Sequence, residues 1–391
     1  MTQGSSGGSV RLRAVIKQIP LVGLAALTAI TTTAGCEGRA QKEAIRQRIG
    51  ISAEGRSLPA LENYYAAAVA DKDNAWVVGT YGTILKITDN GAKVTLQPSG
   101  TQVALLSASA ASSADVVVGG ENATILHTTD GGAHWTRGKV PDSVTDDISA
   151  LARGADPRQI WAIGPEGMVI HSADGGDTWE DLNLHKDVTL NTVAFLDDKN
   201  GWIAGEFGTI QKTTDGGHTW QDANKVSGLP KYVEDVTDDE AFHRGIPQLE
   251  EGDLYLEQIV LSNPSDGYIV GTGGFVLATH DGGQSWQATR GDTRNTLFAV
   301  AAPKDHPAIA VGILGTMMHQ NGAAWARDQD ISNSVYSWLR SLSFAPDASM
   351  GIITGGKGII LVSRDGGANW AAIDAAVIAA AAAAPAQSRA S

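Results

Sequence analysis

The chain has 391 residues, with 29 Lys+Arg against 43 Asp+Glu for a net charge of −14, 42% hydrophobic residues, 46 Gly, 10 Trp and a single Cys. That apolar content excludes a disordered chain, and the acidic balance excludes wholesale nucleic-acid binding, which needs cations to displace counterions from phosphate. One cysteine excludes an internal disulfide framework and any Cys-rich zinc module.

Residues 1–35 read as an export signal of the lipoprotein type. Arg11, Arg13 and Lys17 precede an apolar run over residues 19–30, which is shorter than the ~20 residues of a comfortable membrane span. The sequence Thr33-Ala34-Gly35-Cys36 follows. It resembles the lipobox of bacterial lipoproteins, in which the thiol is lipidated and becomes the first residue of the mature chain. Thr33 stands where that motif usually has Leu. The alternative is an ordinary signal peptide with a bystander cysteine. Cleavage before Cys36 removes three positive charges and no negative ones, taking the net charge from −14 to −17. Residues 36–58, rich in Glu, Gln, Arg and Gly, then form a tether, and residues 379–391 an Ala-rich tail. Glu37 in place of Asp after the cysteine points to the outer membrane rather than the inner one.

Between tether and tail the chain repeats. Ser/Thr-x-Asp-Gly-Gly-x-x-Trp occurs at residues 128–135, 172–179, 213–220, 279–286 and 363–370. Residues 87–94 keep Asp89 and Gly91, and residues 318–325 keep Gly322 and Trp325 but have Gln320 in place of the Asp. The last positions of the seven copies are 41, 44, 41, 66, 39 and 45 residues apart. A unit of about 42 residues is the length of a four-stranded propeller blade. Each unit reads as strand, strand, a Gly-x-x-Gly turn, strand, the Asp turn and a last strand. Residues 205–208 show that turn, and the second unit has Gly120-Glu121-Asn122-Ala123 instead. Glycine supplies the positive φ such turns require. The expectation is an all-β, seven-bladed β-propeller of four-stranded antiparallel blades over residues 59–378, with an insertion at 224–254.

The repeated box is the Asp-box, or BNR repeat, of sialidases and sortilin-type receptors. Seven such units behind a bacterial export signal resemble the photosystem II stability/assembly factor family. The resemblance implies a non-catalytic propeller that assembles or stabilises photosystem II in a phototroph, and an accessory role in another envelope complex elsewhere. It implies binding to a membrane protein complex on the periplasmic side or in the thylakoid lumen. The propeller is expected to be monomeric and held to the membrane by its lipid. Family members are thought to bind partners through an arginine-rich patch.

Of the candidate chemistry, Asp89, Asp130, Asp174, Asp215, Asp281 and Asp365 read as turn residues that accept backbone N–H groups locally. They repeat at the blade periphery and do not converge on a catalytic centre. Glu121, Glu166 and Glu206 fall in the Gly-x-x-Gly turns of three consecutive blades, either as solvated rim or as a weak cation or contact site. The insertion carries Glu234, Asp235, Asp238, Asp239, Glu240, Glu250, Glu251 and Asp253; as a blade-to-blade connection it is expected to project from the Gly-x-x-Gly face. Arg290, Arg294 and Arg340 fall on the same face near Tyr336 and Trp338, a composition enriched at protein interfaces. They are the nearest counterpart of the family's patch, or else an internal clamp on the insertion. Lys86, His127, His171 and Lys212 precede the Asp turn in four successive blades, either as a cationic arc or as exposed strand ends. Metal-ligand spacing, a phosphate loop and a dinucleotide fingerprint are absent from the sequence, so no metal or cofactor is expected. A glycan-binding or glycan-hydrolysing propeller of the sialidase kind is the rival reading; a retaining glycosidase needs two carboxyls ~5.5 Å apart.

Overall fold

A computed structural model describes residues 62–229 and 254–383. The export signal, Cys36, the 36–58 tether and all eight acids named in the insertion lie outside these residues. The chain is a seven-bladed β-propeller: seven antiparallel sheets, each built from four consecutive strands. Blade 1 runs through Tyr64–Asp71, Asn74–Gly79, Ile84–Thr88 and Lys93–Gln97. The innermost strands of blades 2 to 7 are Leu105–Ala110, Ala150–Arg153, Leu190–Phe195, Leu256–Leu261, Leu297–Ala301 and Leu339–Phe344.

The second strand of each blade is buried on both faces by its neighbours, so it reads as a continuous apolar run rather than an alternating one. Ile160–Ile163 is buried throughout, as is Gly201–Gly205. The buried apolar side chains fall into seven clusters, one for each seam between adjacent blades. The Trp that ends each Asp-box fills a seam: Trp179 packs with Val117 and Ile125 of blade 2, and Trp286 with Trp202 of blade 4. No blade could bury its two faces alone, which is why seven are needed.

The ring closes without exchanging a strand. Tyr64–Asp71 pairs with Asn74–Gly79 in blade 1, and Ala371–Ala372 is the outer strand of blade 7. The seam between them is tied by the N–H groups of Ala67 and Val69, which donate to Ser341 Oγ and Ser343 Oγ, each at 3.2 Å. Arg364 Nε donates to the Asn90 carbonyl at 2.7 Å. The helix Ala375–Ala383 crosses the expected boundary at residue 378 and sets Ile378 into this same seam.

The insertion begins differently from the expectation. Val226–Ser227 adds a fifth strand, parallel to Trp286–Arg290, along the outer edge of blade 5. The segment covers that edge before it reaches any face, and the Trp286 N–H donates to the Lys225 carbonyl at 2.8 Å. At the far end of the insertion, Leu254 accepts a hydrogen bond from the Gly208 N–H at 2.7 Å on the Gly-x-x-Gly face.

Candidate functional site

The Gly-x-x-Gly turns build one face of the ring. In every blade the third and fourth turn residues have positive φ, and the third is non-glycine in six of them: Tyr81, Asn122, Glu166, Phe207, Leu314 and Lys357. The fourth is Ala123 in blade 2, at φ 50°, where the other blades have glycine. Gly82 shows why glycine is preferred, since a Cβ there would stand 2.2 Å from the Thr101 carbonyl oxygen. The second turn residue ties the turn to the incoming chain. Glu121 accepts from the Ala104 N–H and Glu206 from the Thr189 N–H, both at 3.1 Å; Thr80 does the same for Asn63 at 3.3 Å. Two of the three turn glutamates are therefore bonded to backbone, and Glu166 alone among them is exposed. Among the described residues no group of three or more His, Cys, Asp or Glu is placed to hold a metal.

At the centre of this face the inner strands open a channel of about 230 Å³. In six blades a register shift follows the first inner-strand residue, as between Tyr64 and Ala66 or Leu339 and Ser341. Such a bulge buries the first residue and turns the next one toward the axis. The channel is accordingly lined by Tyr65, Leu106, Ser149, Asn191, Glu257, Phe298 and Arg340, one from each blade. Sequence reasoning missed Glu257 and Phe298. The signal was available as the residue following the first buried position of each inner strand.

The five expected binding residues divide into two groups. Arg340 is at the channel mouth, where its Nη1 donates to Glu257 Oε2 at 3.0 Å and its guanidinium carbon lies 5.1 Å from the Phe298 ring centre. Trp338 stacks on Tyr65 with ring centroids 5.9 Å apart and planes 8° from parallel. Arg290, at the end of the outer strand of blade 5, and Arg294, in the connection to blade 6, are exposed and form no ion pair among the described residues. Tyr336 is 57% exposed. Arg340 clamps Glu257, within the propeller core, while the insertion's named acids lie outside the described residues.

The opposite face carries the Asp-boxes. In blade 2 the Thr128 hydroxyl donates to Asp130 Oδ1 at 2.8 Å, and the Gly132 N–H donates to Thr128 Oγ1 at 2.9 Å. The His134 N–H donates to Asp130 Oδ1 at 3.0 Å, and the same backbone bonds recur at Asp174, Asp215, Asp281 and Asp365. These bonds favour the ionised form. Asp215 is brought from the ordinary 3.8 to about 2, first by the Thr219 hydroxyl and then by the Thr219 N–H. Asp281 reaches about 2 through Ser285, against the opposing effect of burial. Asp89 differs: Ile87 stands two residues before it, where the complete boxes have the Ser or Thr hydroxyl that donates to the Asp, and Asp89 adopts φ 53° itself. It does not form the network expected of it.

The row of Lys86, His127, His171 and Lys212 is neither a cationic arc nor a set of free strand ends. Lys86 Nζ donates at 3.0 Å to the Gly131 carbonyl in the Asp-box of blade 2, and Lys212 Nζ at 3.1 Å to that of Gly282 in blade 5. Each ammonium also lies over a tryptophan, Trp76 at 5.1 Å and Trp202 at 4.6 Å. His127 is buried, 3.1 Å from Asp177 of blade 3. In blade 3 the indole of Trp161 takes over the contact, donating to the Gly216 carbonyl at 2.8 Å. His171 instead lies within its own blade, 2.7 Å from Glu180 and from Gln159. Lys86, His127, Trp161 and Lys212 thus fasten adjacent blades to one another.

The sequence model described as photosynthesis system II assembly factor YCF48 matches residues 105–190 and 177–247. The photosystem II assembly lipoprotein Ycf48 of Synechococcus sp. (strain CC9902) is 24% identical over 250 residues, 63% of this chain and 55% of that protein. The chloroplastic photosystem II stability/assembly factor HCF136 of Oryza sativa subsp. japonica is 29% identical over 76 residues, 19% of this chain and 18% of that one. The chain thus aligns with about half the length of the first relative and less of the second. A solved structure of YCF48 bound to D1 peptide superposes with a TM-score of 0.61 at 18% identity, covering 79% of this chain and 96% of that one. The chain is thus similar to the YCF48/HCF136 photosystem II assembly factors, with the family model matching within residues 105–247.

Proposed function

We propose that this protein is a non-catalytic scaffold, lipid-anchored through Cys36 on the outer side of a membrane, that docks a protein partner on its Gly-x-x-Gly face. The observation that carries the reading is the placement of exposed apolar side chains. Seven large hydrophobic side chains are exposed among the described residues, and Tyr81, Phe207, Ile313, Leu314 and Tyr336 lie on this face. Tyr81, Phe207 and Leu314 occupy the left-handed turn position, where a side chain costs about 1–2 kcal/mol relative to the ordinary helical region. Bulky apolar groups held strained and in water on one face are what an interface requires and a free surface avoids.

Arg290 and Arg294 add bidentate donors for acidic groups of the partner. The relative solved with D1 peptide supports a photosystem II subunit as that partner in a phototroph. Turnover of glycans has less support, because Glu257 is the one carboxylate lining the channel and Arg340 engages it. The test is affinity purification from native membranes in mild detergent, with wild type beside an Arg290→Glu, Arg294→Glu double variant. A membrane complex recovered with the first and lost with the folded second is expected. Equal recovery with both would remove the arginines from the docking face, and recovery of no protein at all would overturn the scaffold reading.

A further inference from the structure

We propose that a cleft on blade 4 receives one cationic side chain, an arginine, from the docked protein partner. The inference rests on the docking reading above and names a contact on that face away from the arginines of blades 5 to 7. The cleft, of about 330 Å³, lies between Lys186 and Asp187 in the connection from blade 3, Phe207 in the turn, Gln211 in the third strand and Asp222 at the end of the fourth. That volume is at the lower end for small-ligand sites, ~300–1,000 Å³, and suits a side chain better than a cofactor.

Three of the polar residues lining the cleft, Asp187, Gln211 and Asp222, offer acceptors. Gln211 is 4% exposed, its Nε2 donates to Asp222 Oδ1 at 2.7 Å, and its Oε1 is buried without a partner. Turning the amide round would set its oxygen against the Asp222 carboxylate, so that hydrogen bond fixes the orientation and leaves an acceptor facing no donor. Asp187 and Asp222 are both exposed carboxylates at the rim. A guanidinium is the matching group, because it is planar, carries five donors and accepts nothing. Phe207, 58% exposed at φ 56° with its ring centroid 6.1 Å from that of Tyr255, offers an aromatic face for that cation. Lys186 is the one cation lining the cleft. It forms no ion pair among the described residues, so an incoming guanidinium displaces no existing bridge.

The test uses the full-length chain in detergent and follows N-acetyl-arginine amide by saturation-transfer NMR, with N-acetyl-citrulline amide as the uncharged probe of the same shape. The arginine probe is expected to bind about tenfold more tightly than the citrulline one, the scale of a charge-assisted hydrogen bond. Asp222→Asn and Phe207→Ala should each erase that preference, Lys186→Ala should keep or strengthen it, and Arg294→Glu should leave it unchanged. Equal binding of the two probes, or a preference that survives Asp222→Asn, would overturn the cleft. Failure to hold the probe while the partner is still recovered overturns this inference alone. A probe held in the cleft by a chain that recovers no partner overturns the docking face alone.

Discussion

Arg340 of blade 7 reaches past blade 6 to Glu257 of blade 5, closing 3.0 Å between Nη1 and Oε2 across the channel mouth. Glu257 is the more enclosed partner, with its side chain 16% exposed against 37% for Arg340. The pair therefore links two blades that do not touch through their sheets. Its half-open setting limits its worth to about 1 kcal/mol. Urea unfolding of Glu257→Gln and Arg340→Met should each show a loss of that order, and the double variant should lose less than the sum. Strict additivity would mean the two charges are not coupled.

The Asp-box carboxylates make the fold sensitive to acid. Asp215 falls from 3.8 to about 2 on folding, so its contribution is complete above pH ~4 and is lost as pH drops through about 2. Stability of Asp215→Ala should thus lie below wild type near neutrality, with the gap narrowing between pH 4 and pH 2. Chemical unfolding at a series of pH values reads this directly. A gap that is constant over that range would show that the ionised form is not what the turn stabilises.

Leu314 separates docking from folding. It is 58% exposed at φ 55°, a conformation asparagine tolerates much better than leucine. Leu314→Asn is expected to raise the unfolding free energy by about 0.5–1 kcal/mol while lowering partner recovery. A loss of stability instead would mean that the leucine serves the fold and not the partner.

The ring and its two recurring turns were legible in the sequence because each is fixed locally. The Asp-Gly-Gly segment closes its hydrogen bonds within four residues, as from Gly132 to Thr128. The same locality identifies Asp89 as an exception once Ile87 is noticed two residues earlier. Contacts between blades were not legible. Lys86 and Lys212 look like strand-end charges, and only the ring brings their ammonium groups to carbonyls 45 and 70 residues away. Arg340 was found as a chemically apt residue, yet its partner Glu257 lies 83 residues earlier. The start of the insertion was misplaced for a related reason: an uncovered outer edge of blade 5 is a template for pairing, and that demand is invisible until the blade exists.

The helix Ala375–Ala383 stands where many closed rings use an exchanged strand. Among its described side chains only Ile378 is buried, at 6% exposed, and it packs with Val94 of blade 1 and Val362 of blade 7. Nine residues with so few apolar contacts are too short to hold a helix without tertiary support. Ile378→Ala should cost about 2 kcal/mol if the helix stays docked, and less if it detaches and leaves the seam to Ser341, Ser343 and Arg364. Hydrogen exchange distinguishes these outcomes, because detachment uncovers the edge of Lys93–Gln97 and shortens the protection of its amides. Removal of residues 375–391 should have the same local effect without unfolding blades 3 to 5, whose seams lie elsewhere in the ring. Loss of protection throughout those blades would show instead that the helix is a keystone for the whole propeller.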